Sequence, residues 1–565
     1  MHTLDWLILS FTLLAVIAYG VYKSNATKNL DGYFRGNQQL PWYLVLLGIM
    51  GTQASAITFI SAPGQAYNDG LRFLQYYFGL PLAMVVICIT FVPKFRQLNI
   101  YTAYEYLENR FDKKTRTFAA LIFLLGRGLS TGISIVAPSI IIASLLGINL
   151  YVTNIVMGGL LIIYTVLGGA KAVAYTQQLQ FIIIIAGMGI AGYYAVHLLP
   201  AHFTFSIAWQ LASDSGKTNI ITTGVLPNGS FNWNDKFNIW SGVFGGFFLA
   251  LSYFGTDQSQ VGRYIAAKSV KESRVGLILN GLFKIPMQFL ILLVGLLVFS
   301  FYKYNNTPIN FNKNVVEKVL NSSKKDSAQV LINTYNTTTQ NLLNKQKNTT
   351  INSDEIAALN DKLSATKLAF NNLAVRANSN INTDDTNYIF LTFITTYLPI
   401  GLVGLLIAML FLAAWGSIAA ALNALSSSTI IDIHNQYNNT TISSAVSYRY
   451  AKYYTLAWGI FCIIAAQFAT NIGSLIVAVN IIGSLFYGVM LGLFLAAFYL
   501  PYIKATAVFI AALLTQLGIF FIYFIVKFEG FLWLNVIGVA LLLALAFIIQ
   551  LIKNSVTVKQ PLNAT

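Results

Sequence analysis

Apolar runs of about 18 to 25 residues recur from one end of the chain to the other, each long enough to cross a bilayer core. Lipid offers no hydrogen bonds, so such runs must satisfy their backbones internally as α-helices. The fold class read from this is an all-α polytopic membrane protein. Only 10% of the 565 residues are charged, against roughly a quarter in a soluble domain, and a solvent that penalises charge accounts for the deficit. Setting apolar runs against charged gaps places about thirteen transmembrane helices by length. They centre near Leu13, Ile57, Met84, Ile133, Gly159, Ile185, Gly246, Leu290, Phe411, Ile463, Leu485, Leu513 and Leu542. The first run, Leu4 to Tyr22, has no Lys or Arg before it and reads as a span, not a cleaved leader.

The gaps set the orientation. Lys23, Lys28 and Arg35 follow the first span; Lys94, Arg96, Arg110, Lys113, Lys114 and Arg116 follow the third. Lys171 follows the fifth, and Arg263, Lys268, Lys271 and Arg274 the seventh, while alternate gaps such as Leu145 to Tyr151 are nearly free of charge. Positive-inside counting puts the N-terminus outside and the C-terminus, with Lys553 and Lys559, in the cytoplasm. The net charge of +16 is scattered over these loops, not gathered in a stripe, which argues against a nucleic-acid partner. Cys88 and Cys462 lie within apolar runs and read as buried small hydrophobes.

Residues 303–387 differ from the rest, being rich in Asn, Thr, Lys and Ser with a helical stretch near Ile356 to Leu373. They read as a mobile external insertion with at most a small helical cap. The Asn-x-Ser/Thr triplets at Asn321, Asn336 and Asn348 are what chance produces in such a tract.

Function in a membrane protein is read from polar groups at membrane depth and from broken helices. Span two, Gly48 to Phe59 followed by Pro63-Gly64, crowds small and hydroxyl residues at its centre. It reads either as a discontinuous helix or as tight packing through small residues. In span nine, Ser417 is either a cation ligand or a serine bonded back to a carbonyl one turn earlier. Arg127 and Lys284 are cations at apparent membrane depth, facing a cavity or snorkelling to an interface. Asp257 is the one acid near that depth, placed at the inner end of span seven. Two cations without matching acids leave room for an anionic solute. Of His2, His197, His202 and His434 none falls mid-span, and paired carboxylates are absent at depth, so an enzyme is not expected.

Several motifs, in order and correctly spaced among the spans, are similar to the sodium:solute symporter family. They are Asp31-Gly32-Tyr33-Phe34-Arg35-Gly36, Ser55-Ala56-Ile57-Thr58-Phe59, Thr102 to Phe111, Gly168 to Val173, Val261-Gly262-Arg263-Tyr264 and Leu422-Asn423-Ala424-Leu425, and the match runs from about Asp5 to about Lys504. The resemblance implies a LeuT-type fold of two inverted five-helix repeats within one transporter domain, residues 1–565. Residues 41–199 would form the first repeat and 238–499 the second, with 5–22 an added N-terminal span and 503–553 two added C-terminal ones. It implies symport of a small organic solute with sodium as coupling ion, no organic cofactor, and residence in a cell membrane. The Asn-, Ile- and Lys-rich composition suggests a bacterial inner membrane.

By motif alignment the shared sodium site falls on Gly51, Ala54, Ala413, Gly416 and Ser417. Gly416 replaces a hydroxyl, leaving the site one oxygen short unless Thr52, water or another group fills in. The ligands of a second sodium site are replaced by Gln177, Ala419 and Ala420, so one sodium per solute is expected. Substrate positions carried over are Gln53, Ser55, Thr58, Phe73, Tyr76, Tyr77, Ser130 and Lys284. Arg127 lies one turn from Ser130, the position of a carboxylate-binding arginine in sialic-acid carriers. The run Thr131 to Pro138 resembles the branch carrying monocarboxylates, vitamins and iodide, which favours an organic anion over a sugar. A facilitator or sensor that has lost coupling is the alternative raised by Gly416 and Gln177. Identity of the solute and oligomeric state are not encoded legibly.

Overall fold

The computed structural model describes residues 1–24, 38–98, 100–200, 203–347, 353–437 and 444–558. The motif Asp31 to Gly36, Lys28, His202, Asn348 and Lys559 lie outside these residues, as do the side chains of Lys23 and of Gly168 to Val173. The chain opens with α1 (Thr3–Ser24), then α2 (Trp42–Gln53), α3 (Ala56–Asp69), a 3-10 turn (Gly70–Tyr77) and α4 (Leu80–Gln97). Next come α5 (Glu105–Arg110), α6 (Lys113–Leu146), α7 (Leu150–His197) and α8 (Phe205–Asp214). They are followed by α9 (Gly246–Thr256), α10 (Gln258–Ile265) and α11 (Val270–Lys303). The insertion contributes α12 (Lys313–Leu320), α13 (Lys325–Lys347) and α14 (Ser353–Ala377). The chain ends with α15 (Thr386–Tyr397), α16 (Leu402–Ser428), α17 (Ser444–Phe468), α18 (Leu475–Tyr499), α19 (Ala505–Phe524) and α20 (Phe531–Val558).

Helices start where the sequence supplies caps. Asp112 accepts a hydrogen bond from the Thr115 N–H at the head of α6, and Ser269 does the same for Glu272 at α11. α16 is the axis of the bundle: every residue from Leu406 to Ser428 is buried, against α1, α6 and α7. At the rim the pattern inverts. Leu4, Leu7, Phe11 and Leu14 of α1 are exposed at helical spacing, as are Leu513, Leu517, Phe521 and Phe524 of α19. Such stripes face lipid, where exposure of apolar side chains carries no penalty. Eight helical segments among the described residues have the length and hydropathy of a bilayer span, and shorter apolar ones accompany them.

Two spans are broken, and this accounts for short pieces such as Trp42–Gln53. Span two stops at Ala54 (φ −80°, ψ 70°) and restarts after an extended Ser55 (φ −82°, ψ 169°). The discontinuous reading of that segment therefore describes it, with close packing as well: a methyl group at Gly64 would overlap the Thr386 carbonyl of α15. Span seven breaks at Asp257 (φ −78°, ψ 116°), which the sequence did not announce. A third departure is α7. Straight, its 48 residues would extend about 72 Å, yet Asn154 hydrogen-bonds Ala466 near the end of α17 and Gly192 packs on Val294 near the end of α11. Those ends lie on the insertion-bearing side, so α7 doubles back and provides the apolar segments Leu150–Val166 and Gln180–His197.

The insertion is not the loose segment expected. α12, α13 and α14 enclose their own core of Val315, Val319, Ala328, Tyr335, Phe370 and Ala374. It is fastened to the bundle by Lys367, which pairs with Asp385 at 3.1 Å, and by Asn382, which donates to the Asn471 carbonyl. The reason is dilution: a few apolar residues spaced three or four apart suffice for a small helical core even in a polar tract. Phe370→Ala should therefore destabilise this subdomain by about 3–5 kcal/mol. Hydrogen exchange should rise across 313–377 while α16 stays protected; unchanged exchange in α13 would contradict the packed insertion.

Candidate functional site

The break in span two opens onto a cavity of about 130 Å³. Its walls come from Gln53, Ser55 and Thr58 at the break, Tyr76 and Tyr77 of the 3-10 turn, Arg127 and Ser130 of α6, Tyr253 of α9, Lys284 of α11, and Val479, Asn480 and Tyr487 of α18. Most expected substrate positions thus meet in one place. Gln53 donates to Asn280 at 2.9 Å, Thr58 to the Gln53 carbonyl at 3.3 Å, and Ser130 to the Gly126 carbonyl at 2.9 Å.

Phe73 is the exception. It is fully buried behind Tyr76, stacked on it at 5.6 Å and packed edge-on against Phe237 at 4.9 Å. In a 3-10 turn, residues three apart eclipse each other, so Phe73 backs Tyr76 and does not reach the cavity wall. The Tyr76 hydroxyl donates to Asn480 at 3.0 Å, closing the cavity toward the insertion side. Beyond it lies an outer vestibule lined by Gln65, Asp69, Arg72, Asp235 and Ser474, where Arg72 pairs with Asp69 and Asp235.

The two membrane-depth cations have different fates. Arg127 is not waiting for an anion: its guanidinium donates to Asp257 at 2.5 Å and to Ser259 at 2.7 Å. Tyr487 donates to the same carboxylate at 3.1 Å, and the Tyr253 ring lies 5.2 Å from the guanidinium carbon. Asp257 lies buried at the break that ends α9, so Arg127 has a matching acid, which corrects the expectation that neither cation has one. Lys284 is only 2% exposed and, among the described residues, has no hydrogen bond or ion pair. Its Nζ lies 5.2 Å from the centre of the Tyr77 ring. A buried ammonium so placed is costly unless an anion joins it.

On the side opposite the insertion, Arg116 pairs with Glu108 at 2.6 Å and Asp432 at 2.8 Å, and Asp432 also accepts from Thr102 and Ser428. Arg110 donates to the carbonyls of Leu500, Pro501 and Ile503. The Thr102 to Phe111 motif therefore ties α5 to α16 and α18. Asn480, Tyr253, Tyr487 and Asp432 carried no readable signal, since their partners are distant in sequence.

The predicted cation positions face one another across α2 and α16. Among the described residues no N–H reaches the carbonyls of Gly51 or Ala54. Such freed hard oxygens suit a sodium ion. Gln177 lies between the two helices: a Cβ on Gly51 would sit 3.1 Å from its Cγ, and its Nε2 donates to the Gly416 carbonyl at 3.2 Å. Ser417 bonds back to the carbonyls of Ala413 and Ala414 at 3.0 and 3.1 Å. Ala419 and Ala420 pack on Tyr164 and present no side-chain oxygen.

A membrane-spanning bundle with two broken helices flanking a central polar cavity is the architecture of a LeuT-type secondary carrier. The solved substrate-bound, outward-open structure of a Na+-coupled sialic acid symporter matches it with a TM-score of 0.75 over 98% of both chains, at 24% identity. The model of the sodium:solute symporter family matches residues 33–342, and the chain belongs to that family. It is 26% identical over 530 residues to the sodium/sialic acid symporter SiaT of Proteus mirabilis, covering 91% of this chain and 88% of that one. It is 28% identical over 299 residues to the human sodium/iodide cotransporter, covering 52% of this chain and 45% of that one. With the sodium-coupled monocarboxylate transporter 1 of Xenopus laevis it shares 27% over 308 residues, 53% of this chain and 47% of that one. The chain thus spans about half the length of these last two.

Asp257→Ala should leave Arg127 a buried, uncompensated charge and destabilise the protein by about 3 kcal/mol. The double variant Arg127→Met with Asp257→Leu should recover most of that loss in thermal melts in detergent. A single variant as stable as the unmodified protein would contradict the pairing.

Proposed function

We propose that this chain imports a small organic anion together with sodium by alternating access. The observation carrying the proposal is Lys284: a buried ammonium facing the cavity with no anionic partner among the described residues. An anionic solute completes the pairing, while Gln53, Ser55, Thr58, Asn480 and the tyrosines hold its hydroxyl, amide or apolar parts. Family membership and the sialic-acid and monocarboxylate carriers among its relatives support the same solute class.

Sodium binds the freed carbonyls of Gly51 and Ala54 together with Ala413 and Ser417, beside Gly416 where a hydroxyl is missing, one ion per solute, since the apolar Ala419 and Ala420 offer nothing for a second. Binding across α2 and α16 fixes the broken span in the shape that forms the cavity, so each ligand favours the other. The repeats 41–199 and 238–499 then rock against each other, with Tyr76–Asn480 opening on the insertion side and the Arg116–Asp432 cluster on the other. The insertion faces outward and the last helix ends in the cytoplasm, as the loop charges favour. The membrane is that of a bacterial cell. The role is transport, not catalysis.

The test is uptake by proteoliposomes of a labelled panel of monocarboxylates, sialic acid and sugars, with and without an inward sodium gradient. Accumulation of a carboxylate that requires sodium is expected. Lys284→Ala should raise the KM for that carboxylate about tenfold or more, the equivalent of ~1.4 kcal/mol, with little effect on a neutral analogue. An unchanged KM for the carboxylate would remove Lys284 from substrate binding.

A further inference from the structure

We infer that Gln177 and Gln180, one turn apart on α7, supply side-chain oxygens to the sodium site in place of the hydroxyl absent at Gly416. The inference rests on the sodium reading above and specifies how this chain completes that site. Three observations carry it. First, a Cβ added at Gly416 would overlap Gln180 Oε1, so the carboxamide oxygen occupies the space a serine side chain would take. Second, Gln177 is 1% exposed and its Oε1 has no hydrogen-bond partner among the described residues. Its Nε2 donates to the Gly416 carbonyl, which fixes the amide so that the orphan atom is the oxygen. Third, Gln177 also lies against α2, where a Cβ on Gly51 would sit 3.1 Å from its Cγ, so its amide stands between the two helices that carry the site.

A buried amide oxygen left without a donor is destabilising by about 1–3 kcal/mol. That cost is offset only when something else satisfies the group, and a hard cation between Gly51 and Gly416 does so. The arrangement also explains why position 416 is glycine: any larger residue would displace Gln180. Amide oxygens are neutral, so the site gathers oxygen ligands without adding a carboxylate at membrane depth, where a charge is costly.

The experiment is equilibrium binding of radioactive sodium to the purified full chain, with melting temperature recorded for every variant. Gln177→Ala and Gln180→Ala should each raise the sodium Kd about tenfold, the scale of losses on removing groups that support a metal site. Gln180→Glu, which retains the oxygen, should not weaken binding. Gly416→Ser alone should weaken it through overlap. Gln180→Ala with Gly416→Ser should return the Kd to within about threefold of the original, because the hydroxyl enters vacated space. Folded alanine variants that bind sodium like the unmodified protein would overturn the inference, as would a double variant no better than Gln180→Ala. If the unmodified protein binds no sodium, the sodium reading itself falls and takes this inference with it.

Discussion

A carbonyl stripped of its helical partner in a low-dielectric medium costs several kcal/mol unless something else satisfies it. The break at Ala54–Ser55 creates such carbonyls in the middle of a bundle, and much of the structure follows from accommodating them. α16 is buried along nearly its whole length because it lies behind that break. Gln177 threads between α2 and α16, and the small residues Gly51 and Gly416 leave it room. The break also turns Gln53, Ser55 and Thr58 toward one cavity, which a continuous helix would have spread around its circumference.

The charges around that cavity divide into a closed account and an open one. Arg127, Asp257, Ser259 and Tyr487 form a charge-paired network, held by the second helix break. Lys284 has no such closure among the described residues, and its ammonium faces the space a solute would fill. A paired cation beside an unpaired one separates structure from the recognition we propose: Arg127 ties helices of the bundle together, and Lys284 faces the cavity. The layers on either side, Tyr76 on Asn480 and Arg116 on Asp432, are polar contacts between segments far apart in sequence.

What was legible in the sequence follows the range of the physics involved. Hydropathy is local, so the spans, the membrane depth of Lys284 and the odd composition of span two could be read directly. Pairings across the bundle could not. Arg127 finds Asp257 130 positions away, and only through unwinding at that acid. The insertion reads as loose in sequence because its core uses a handful of residues, Val315, Val319, Phe370 and Ala374 among them, too sparse to raise an apolar signal. The resemblance places Phe73 at the cavity, but the 3-10 register turns it behind Tyr76. In sequence Gln177 reads only as the remnant of a second ion site, because its place between Gly51 and Gly416 is set by three helices meeting.

In the mechanism we propose, one ion and one anionic solute stabilise the same arrangement of the broken span, a coupling that equilibrium binding measures. Linkage requires that sodium tighten the solute by the same factor as the solute tightens sodium. Titrating each ligand at zero and saturating concentrations of the other, on the purified protein, should give two equal factors, both well above one. A solute affinity indifferent to sodium would contradict the account, leaving a carrier whose broken helix binds its solute without the ion.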